Sequence, residues 1–377
     1  MNVGEVKLDF GVAMKRSRDV SNKNSKGVEF LFKKNKITWI KGTGTLGAGK
    51  TVKVTADGKS ETHTATKGVV ISTGSRVKGL PQAGLELNKT TVISSDEALI
   101  LEKAPKSIAI VGAGAVGCEF ADVFAAFGSV EVARSFKKRG IDVMVGAKMT
   151  AAQVGKSSVK LSIEAGGAKN ELEVDVVLVA TGRTANIDGI GLKEAGVALT
   201  DRGFIKINER METSAKGVYA VGDVAGPPML AHKGEREGTI VAEVIAGKKF
   251  HPLNYGNVPN ATYCHPEVAS IGLTEAQVKE KKTDYKVGTF PFSANGRART
   301  SGETEGFVKI IRDSKYGDIL GAHIVGAHAT ELIHELAVAR ENEFTVEEID
   351  LAIHAHPTLS EAVAEAALDS MGRMIHA

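Results

Sequence analysis

Ser107-Ile-Ala-Ile-Val111 runs into Gly112-Ala-Gly-Ala-Val-Gly117 and then into an apolar stretch that closes at Gly128. The first run reads as a buried strand, the glycines as a tight turn, and Ala115 to Phe127 as a helix. Strand, G-x-G-x-x-G and helix in that order form the opening unit of a dinucleotide-binding α/β sheet. The glycines let backbone approach a pyrophosphate held at the helix N-terminus. The plainer reading is a tight strand-to-helix connection. Such a unit should continue into a second strand ending in a ribose-gripping carboxylate about 20 residues on. Glu131 stands near that spacing, but Val132-Ala-Arg-Ser-Phe-Lys-Lys-Arg139 reads as a second helix, and the next strand pattern is Ile141-Asp-Val-Met-Val145.

Upstream, residues 1–34 are polar and lysine-rich and read as one or two helices. Short alternating runs follow at Ile37 to Ile40, Thr51 to Thr55 and Glu61 to Ala65, as in a β-meander, and the buried run Val69 to Ser72 ends at Thr73-Gly74. Gly44 to Thr51 matches the P-loop expression, but Thr51 to Thr55 alternates as a strand where a P-loop needs a helix, so these glycines read as a hairpin connection. Downstream, strand pairs are expected around Val159 to Ile163 and Leu172 to Val174. Val176 to Ala180 then meets Thr181-Gly182, and Val218 to Val221 meets Gly222-Asp223. A helix is expected over Gly234 to Ala246 and a linker over Pro252 to Pro259. The remainder reads as an α+β domain with strands at Ala261 to Tyr263, Val308 to Ile311 and Ile319 to Ile324, and helices at Ala329 to Glu341 and Ser360 to Met371.

Composition narrows the chemistry. With 377 residues, 42% of them hydrophobic, the chain can bury two or three cores. A net charge of +3 is too small to imply a nucleic-acid or membrane-surface partner. No apolar run approaches the ~20 residues of a membrane helix, and Met1 to Gly11 lacks the apolar core of a signal peptide, so a cytoplasmic protein is expected. Two cysteines, Cys118 and Cys264, exclude a disulfide framework and a cysteine-built zinc site, and each reads as a packing residue rather than a nucleophile. Asp223, at a strand C-terminus, is placed to accept bonds from ligand hydroxyls, or else closes an Asx turn. In His354-Ala-His356-Pro-Thr358-Leu-Ser-Glu361, Glu361 has two compatible readings. It completes a T-x-x-E capping box with Thr358, or it orients His356 as a general base. The paired histidines lack a third ligand nearby, so no metal is expected.

Phe30-Leu-Phe-Lys-Lys-Asn35, Ser72-Thr-Gly-Ser75, Gly112 to Glu119, Ala180-Thr-Gly-Arg183, Gly217-Val-Tyr-Ala-Val-Gly-Asp223, Ala231-His232 and His354 to Glu361 jointly resemble the pyridine nucleotide–disulphide oxidoreductases. Within them the resemblance is to the branch that oxidises dihydrolipoamide. It implies an α/β fold: a Rossmann-like flavoprotein with two dinucleotide-binding domains, here incomplete, plus a C-terminal α+β dimerisation domain. The segments would be 1–83, a remnant of the FAD-binding domain; 84–185, the NAD-binding domain lacking one strand; 186–253, a return to the first domain; and 254–377, the interface domain.

The resemblance further implies a homodimer with FAD and NAD, taking electrons from dihydrolipoamide through a disulfide and FAD to NAD+. The substrate would arrive on the lipoyl domain of a 2-oxo acid dehydrogenase or glycine cleavage complex. His356 would be the acid/base and Glu361 its orienting partner, acting on the disulfide of the other subunit. Thr73, Gly74, Gly182, Arg183, Gly222, Asp223 and the backbone of Met229, Leu230, Ala231 and His232 would line FAD, and Gly112, Gly114, Gly117 and Glu119 would lie along NAD. Members of this group begin with a strand, a first G-x-G-x-x-G and a C-x-x-x-x-C disulfide, and carry a further strand where this chain has Ser129. None of these is in the sequence, so an N-terminally truncated chain with an internal gap, incomplete cofactor sites and impaired turnover is expected. The alternatives are a non-catalytic dimerisation or binding module and a residual NADH diaphorase.

Overall fold

Val176–Val179 is four β-branched and leucine residues, three of them fully buried. A strand shielded on both faces suits a parallel sheet, and this one lies between Val92–Ile93 and Ile108–Val111, parallel to both. The structure is a computed structural model that describes residues 4, 7–126, 137 and 141–376. Glu131 and the helix expected over 132–139 lie outside the described residues, except for residue 137.

The described residues form two compact units, one comprising those through Gly112 and Met144–Leu253, the other Ala113–Ala126, 141–143 and the residues from Asn254 onward. In the first unit, Val218–Ala220 pairs in parallel with Val69–Ile71, and Arg183–Ala185 pairs antiparallel with Ser75–Val77. Thr43–Gly47, Thr51–Ala56 and Lys59–Thr64 form an antiparallel meander. The P-loop-like glycines therefore sit in a hairpin, where Lys50 Nζ donates to Thr66 O at 2.7 Å instead of facing a phosphate. A second meander, Lys148–Val154, Val159–Ala165 and Ala168–Val174, turns Val159, Leu161 and Ile163 inward at period two onto Val177 and Val179.

Two expectations are corrected here. Residues 37–40 form no strand; Trp39 instead stands edge-on to Phe32 with ring centroids 6.3 Å apart. Residues 141–145 form none either: Ile141 is buried while Val145 is 85% exposed, and among the described residues no strand offers this run a ladder. The expectation of one or two helices over 1–34 is met, among the described residues, by one long helix, Phe10–Lys34, capped by the Asp9 carboxylate on Val12 N–H and burying only Phe10. Among the described residues, Ile108–Val111 has one sheet neighbour, so the strand before the glycine turn is a sheet edge.

The second unit is built on a five-stranded antiparallel sheet in the order Asn260–Thr262, Glu267–Gly272, Ile319–Gly326, Phe307–Asp313, Tyr285–Pro291. Helices Ala329–Glu341 and Glu361–Ser370 pack on it through Ile333, Leu336, Ala362, Val363, Ala366 and Ala367. Gly288 sets how close the second helix comes, because a Cβ there would collide with the Ala366 carbonyl oxygen and the Ser370 N–H.

Candidate active site

Two groups of expected site residues are assembled, one in each unit. In the first unit the parallel strands Val69–Ile71 and Val218–Ala220 deliver Thr73, Gly74, Gly222 and Asp223 to one end of their sheet. Arg183 begins the strand beside Ser75–Val77. Ser75 Oγ donates to Asp223 Oδ2 at 2.5 Å and accepts from Arg183 Nε at 2.6 Å, while Arg183 Nη2 reaches Ser75 O at 2.9 Å. Arg183 and Asp223 thereby sit 3.9 Å apart, with a quarter of the Asp223 side chain exposed. Thr73 and Gly74 are held by Asn186: the Thr73 hydroxyl donates to Asn186 O, and Gly74 O accepts from Asn186 N. Gly182 O accepts from Lys78 N. A carboxylate beside a hydroxyl and a guanidinium can meet ligand hydroxyls and a phosphate or ring carbonyl, the groups that a flavin dinucleotide would present.

Beyond Asp223 the chain turns through Gly226 to Met229, which packs on the first unit's core, and Leu230 is the N-cap of helix Ala231–Ile245, whose second residue is His232. Val241 and Val244 of that helix are buried with Ile240 against Tyr219 and Met211. Lys233 and Glu237 share this face by their i, i+4 and i+7 spacing and are drawn inside with it, each side chain 1% exposed. Lys233 Nζ donates to Gly222 O at 3.0 Å and Gly226 O at 2.9 Å and lies 3.3 Å from Glu237 Oε1, and Glu237 Oε2 accepts from Gly222 N at 2.7 Å. Removing one partner of such a buried pair costs about 3–5 kcal/mol. Sequence reading missed Ser75, Lys233 and Glu237. The signal for the last two was present: a charged pair in register with the apolar stripe of its helix.

Of the residues expected along NAD, Gly112 belongs to the first unit and Gly114, Gly117 and Glu119 to the second. Gly112, at φ 118°, comes so close to Ala180 O that any side chain would clash, which explains its glycine without reference to a ligand. Glu119 Oε1 accepts from Tyr263 N–H at 3.0 Å, so its carboxylate is engaged within the second unit.

The second unit holds the histidine pair. His356 Nδ1 lies 2.8 Å from Glu361 Oε1, and Glu361 Oε2 accepts from Thr358 N at 2.7 Å. Both readings of Glu361 are therefore realised in part: one oxygen serves the backbone, the other the imidazole. The capping box is half formed, since Ser360 is the N-cap and the Thr358 hydroxyl bonds Ala355 O and Ser360 Oγ. Burial works against ionising Glu361, but the Thr358 N–H and the His356 bond prevail and hold its carboxyl below the usual range. A carboxylate only accepts, so Nδ1 carries the proton and Nε2 is left as the acceptor on a side chain 78% exposed. His354 is spent otherwise, Nδ1 on Ala352 O at 2.9 Å and Nε2 on Glu335 at 2.7 Å.

The cysteines face no such activation. Burial and the Glu119 charge push the Cys118 thiol up, and burial pushes Cys264 up to about 12. Both stay thiols at neutral pH, and the thiolate is the nucleophile.

Residues 3–238 match the profile of the pyridine nucleotide-disulphide oxidoreductases, and residues 258–367 match the dimerisation domain of the same group. The dihydrolipoyl dehydrogenase of Corynebacterium glutamicum is 43% identical over 99% of this chain and 84% of its own length. The mitochondrial dihydrolipoyl dehydrogenase of Pisum sativum is 39% identical over 100% of this chain and 79% of its own. Among solved structures, LpdA from Mycobacterium tuberculosis superposes with TM-score 0.86 at 24% identity, covering 97% of this chain and 84% of that one. The HOCl-induced flavoprotein disulfide reductase RclA from Escherichia coli gives 0.83 at 26% identity, covering 96% and 86%.

Proposed function

The chain belongs to the pyridine nucleotide-disulphide oxidoreductase family, and from that premise we propose that it is an oxidoreductase of the dihydrolipoyl dehydrogenase type. Dihydrolipoamide would give up two electrons and two protons to become the cyclic disulfide, reducing an enzyme disulfide to a dithiol on the way. The observation that carries this reading is the His356–Glu361 pair. Its Nδ1 is tied to a carboxylate and its Nε2 is open, so the ring can take an S–H proton and release the thiolate that disulfide exchange requires. Glu361 holds the ring in that tautomer and stabilises the imidazolium formed when the proton arrives.

FAD, when bound, would accept the electron pair and pass it to NAD+. Asp223 as acceptor and Ser75 and Arg183 beside it are the polar groups that would fit it, together with the Met229–His232 backbone and the Thr73-Gly74 and Gly182 turns. Gly112, Gly114 and Gly117 would lie along NAD. The second unit would form a homodimer, which suits Ile353, fully exposed three residues before His356, and Leu351, 78% exposed. We propose the lipoyl domain of a 2-oxo acid dehydrogenase or glycine cleavage complex as partner.

These 377 residues hold no C-x-x-x-x-C pair, and their two cysteines, Cys118 and Cys264, are both free. Lipoamide-dependent NAD+ reduction by the purified chain is therefore expected to be near background, and robust turnover without an added subunit would overturn that expectation. A second reading, a non-catalytic dimerisation module, is favoured by the complete sheet and core of the second unit. An absorption spectrum separates the two: flavin bands at near-equimolar occupancy support the oxidoreductase, and a colourless dimer supports the module.

A further inference from the structure

The buried Lys233–Glu237 pair answers a question that the part-buried cluster at Asp223 leaves open: what holds the Gly222–Gly226 turn in place. Gly222–Ala225 is one turn of 3-10 helix, closed at its end by Gly226 N–H donating to Asp223 O, and Val224 O accepts from Ile205 N–H. Three of its remaining backbone groups are satisfied from the helix below. Lys233 Nζ takes the Gly222 and Gly226 carbonyls, and Glu237 takes the Gly222 N–H. With both ends of the turn fastened on that side, the Asp223 carboxylate is left on the other, where Ser75 Oγ meets it. An ion pair at 1% exposure is a costly way to pack two helical turns, since apolar residues of similar volume serve stability as well or better. Its return lies in fixing backbone that apolar side chains cannot bond.

We infer that Lys233 and Glu237 are positioning residues of the flavin site, presetting the Gly222–Gly226 turn so that Asp223 meets a ligand hydroxyl without reorganisation. This rests on the reading of Ser75, Arg183 and Asp223 as flavin contacts. Preorganisation of this kind raises affinity by removing the ordering cost from the binding step.

The test uses the full chain and FAD itself, titrated by quenching of flavin fluorescence. Lys233→Met alone strands a buried carboxylate and can unfold the chain, so the informative variant is Lys233→Met with Glu237→Gln. It removes both charges, preserves volume and keeps an amide oxygen for the Gly222 N–H. The expected result is a folded chain with a melting temperature near that of the parent, FAD affinity reduced tenfold or more, and faster hydrogen exchange at amides 222–226 of the flavin-free chain but not at 240–244. FAD affinity within twofold of the parent in the folded double variant overturns the inference. Asp223→Asn, titrated alongside, separates this from the reading beneath it. If that variant binds FAD as tightly as the parent, or if the parent takes up none, the flavin assignment itself fails and the inference with it.

Discussion

Glu361 does its work through having two oxygens. One caps the Thr358 N–H while the other fixes the tautomer of His356, so a single carboxylate joins backbone order to proton chemistry. In Glu361→Gln the amide oxygen can serve only one of these donors, and the Nδ1–H form of His356 loses its charged acceptor. Nitrogen-15 chemical shifts of the imidazole are expected to show a mixed tautomer population at high pH in place of a dominant Nδ1–H form. An unchanged tautomer ratio would sink the orienting role. His354 is a contrasting case two residues away. Its bond to Glu335 outweighs burial and raises its pKa above the usual histidine value near 6.5. The stabilisation from this pair is present in full below the ordinary value and is lost as pH rises through the raised one. The stability difference between the parent and Glu335→Gln should therefore shrink as pH climbs from 6 towards 9 in thermal melts, and a difference that grows would show the sign to be wrong.

At the scale of elements, helix Glu361–Ser370 carries the carboxylate, and its distance from the sheet is set by Gly288. Gly288→Ala drives a methyl into the Ala366 and Ser370 backbone, which cannot yield as a side chain would. Overpacking of this sort costs about 1–3 kcal/mol. The expected outcome is a lower melting temperature together with a weakened His356–Glu361 hydrogen bond, read from the imidazole proton resonance. An unshifted resonance in a destabilised protein would show that the helix end does not follow its middle. The strand Ile108–Val111 shows the opposite situation. The residues that flank its glycine turn read as a unit in sequence, yet the turn is where the chain passes from one compact unit to the other. Period and glycine spacing are local quantities, and they say nothing about which unit a helix joins.

For the whole molecule, the described residues form two separately cored units, each with one group of the candidate site residues. The first presents Ser75, Arg183 and Asp223, and the second presents His356, with the exposed Leu351 and Ile353 a few residues before it. Burying Ile353 in a dimer is worth about 1.5–3 kcal/mol per protomer. Ile353→Asp should accordingly weaken self-association by at least tenfold for each copy, measured by size exclusion with light scattering across concentration, and an unchanged dimer would place the interface elsewhere.

Much of this was legible in the linear chain because it depends on short-range patterns. Buried runs ending in Thr-Gly or Gly-Asp, the hairpin glycines at Gly44 to Gly49, the helix Ala329–Glu341 and the His356–Glu361 spacing all follow from local periodicity and reach. What only the tertiary structure decided were matters of partnership between distant residues. Ile141 to Val145 has strand composition, but among the described residues no strand pairs with it. Ser75 becomes a relay only because Asp223 and Arg183 arrive from other strands. Lys233 and Glu237 change from an ordinary helical pair into a buried clamp because the face they share with Ile240 and Val244 is the one the fold covers. A side chain's character is written in the sequence, but its environment is set by what the rest of the chain brings against it, and burial, charge pairing and reach all follow from that environment.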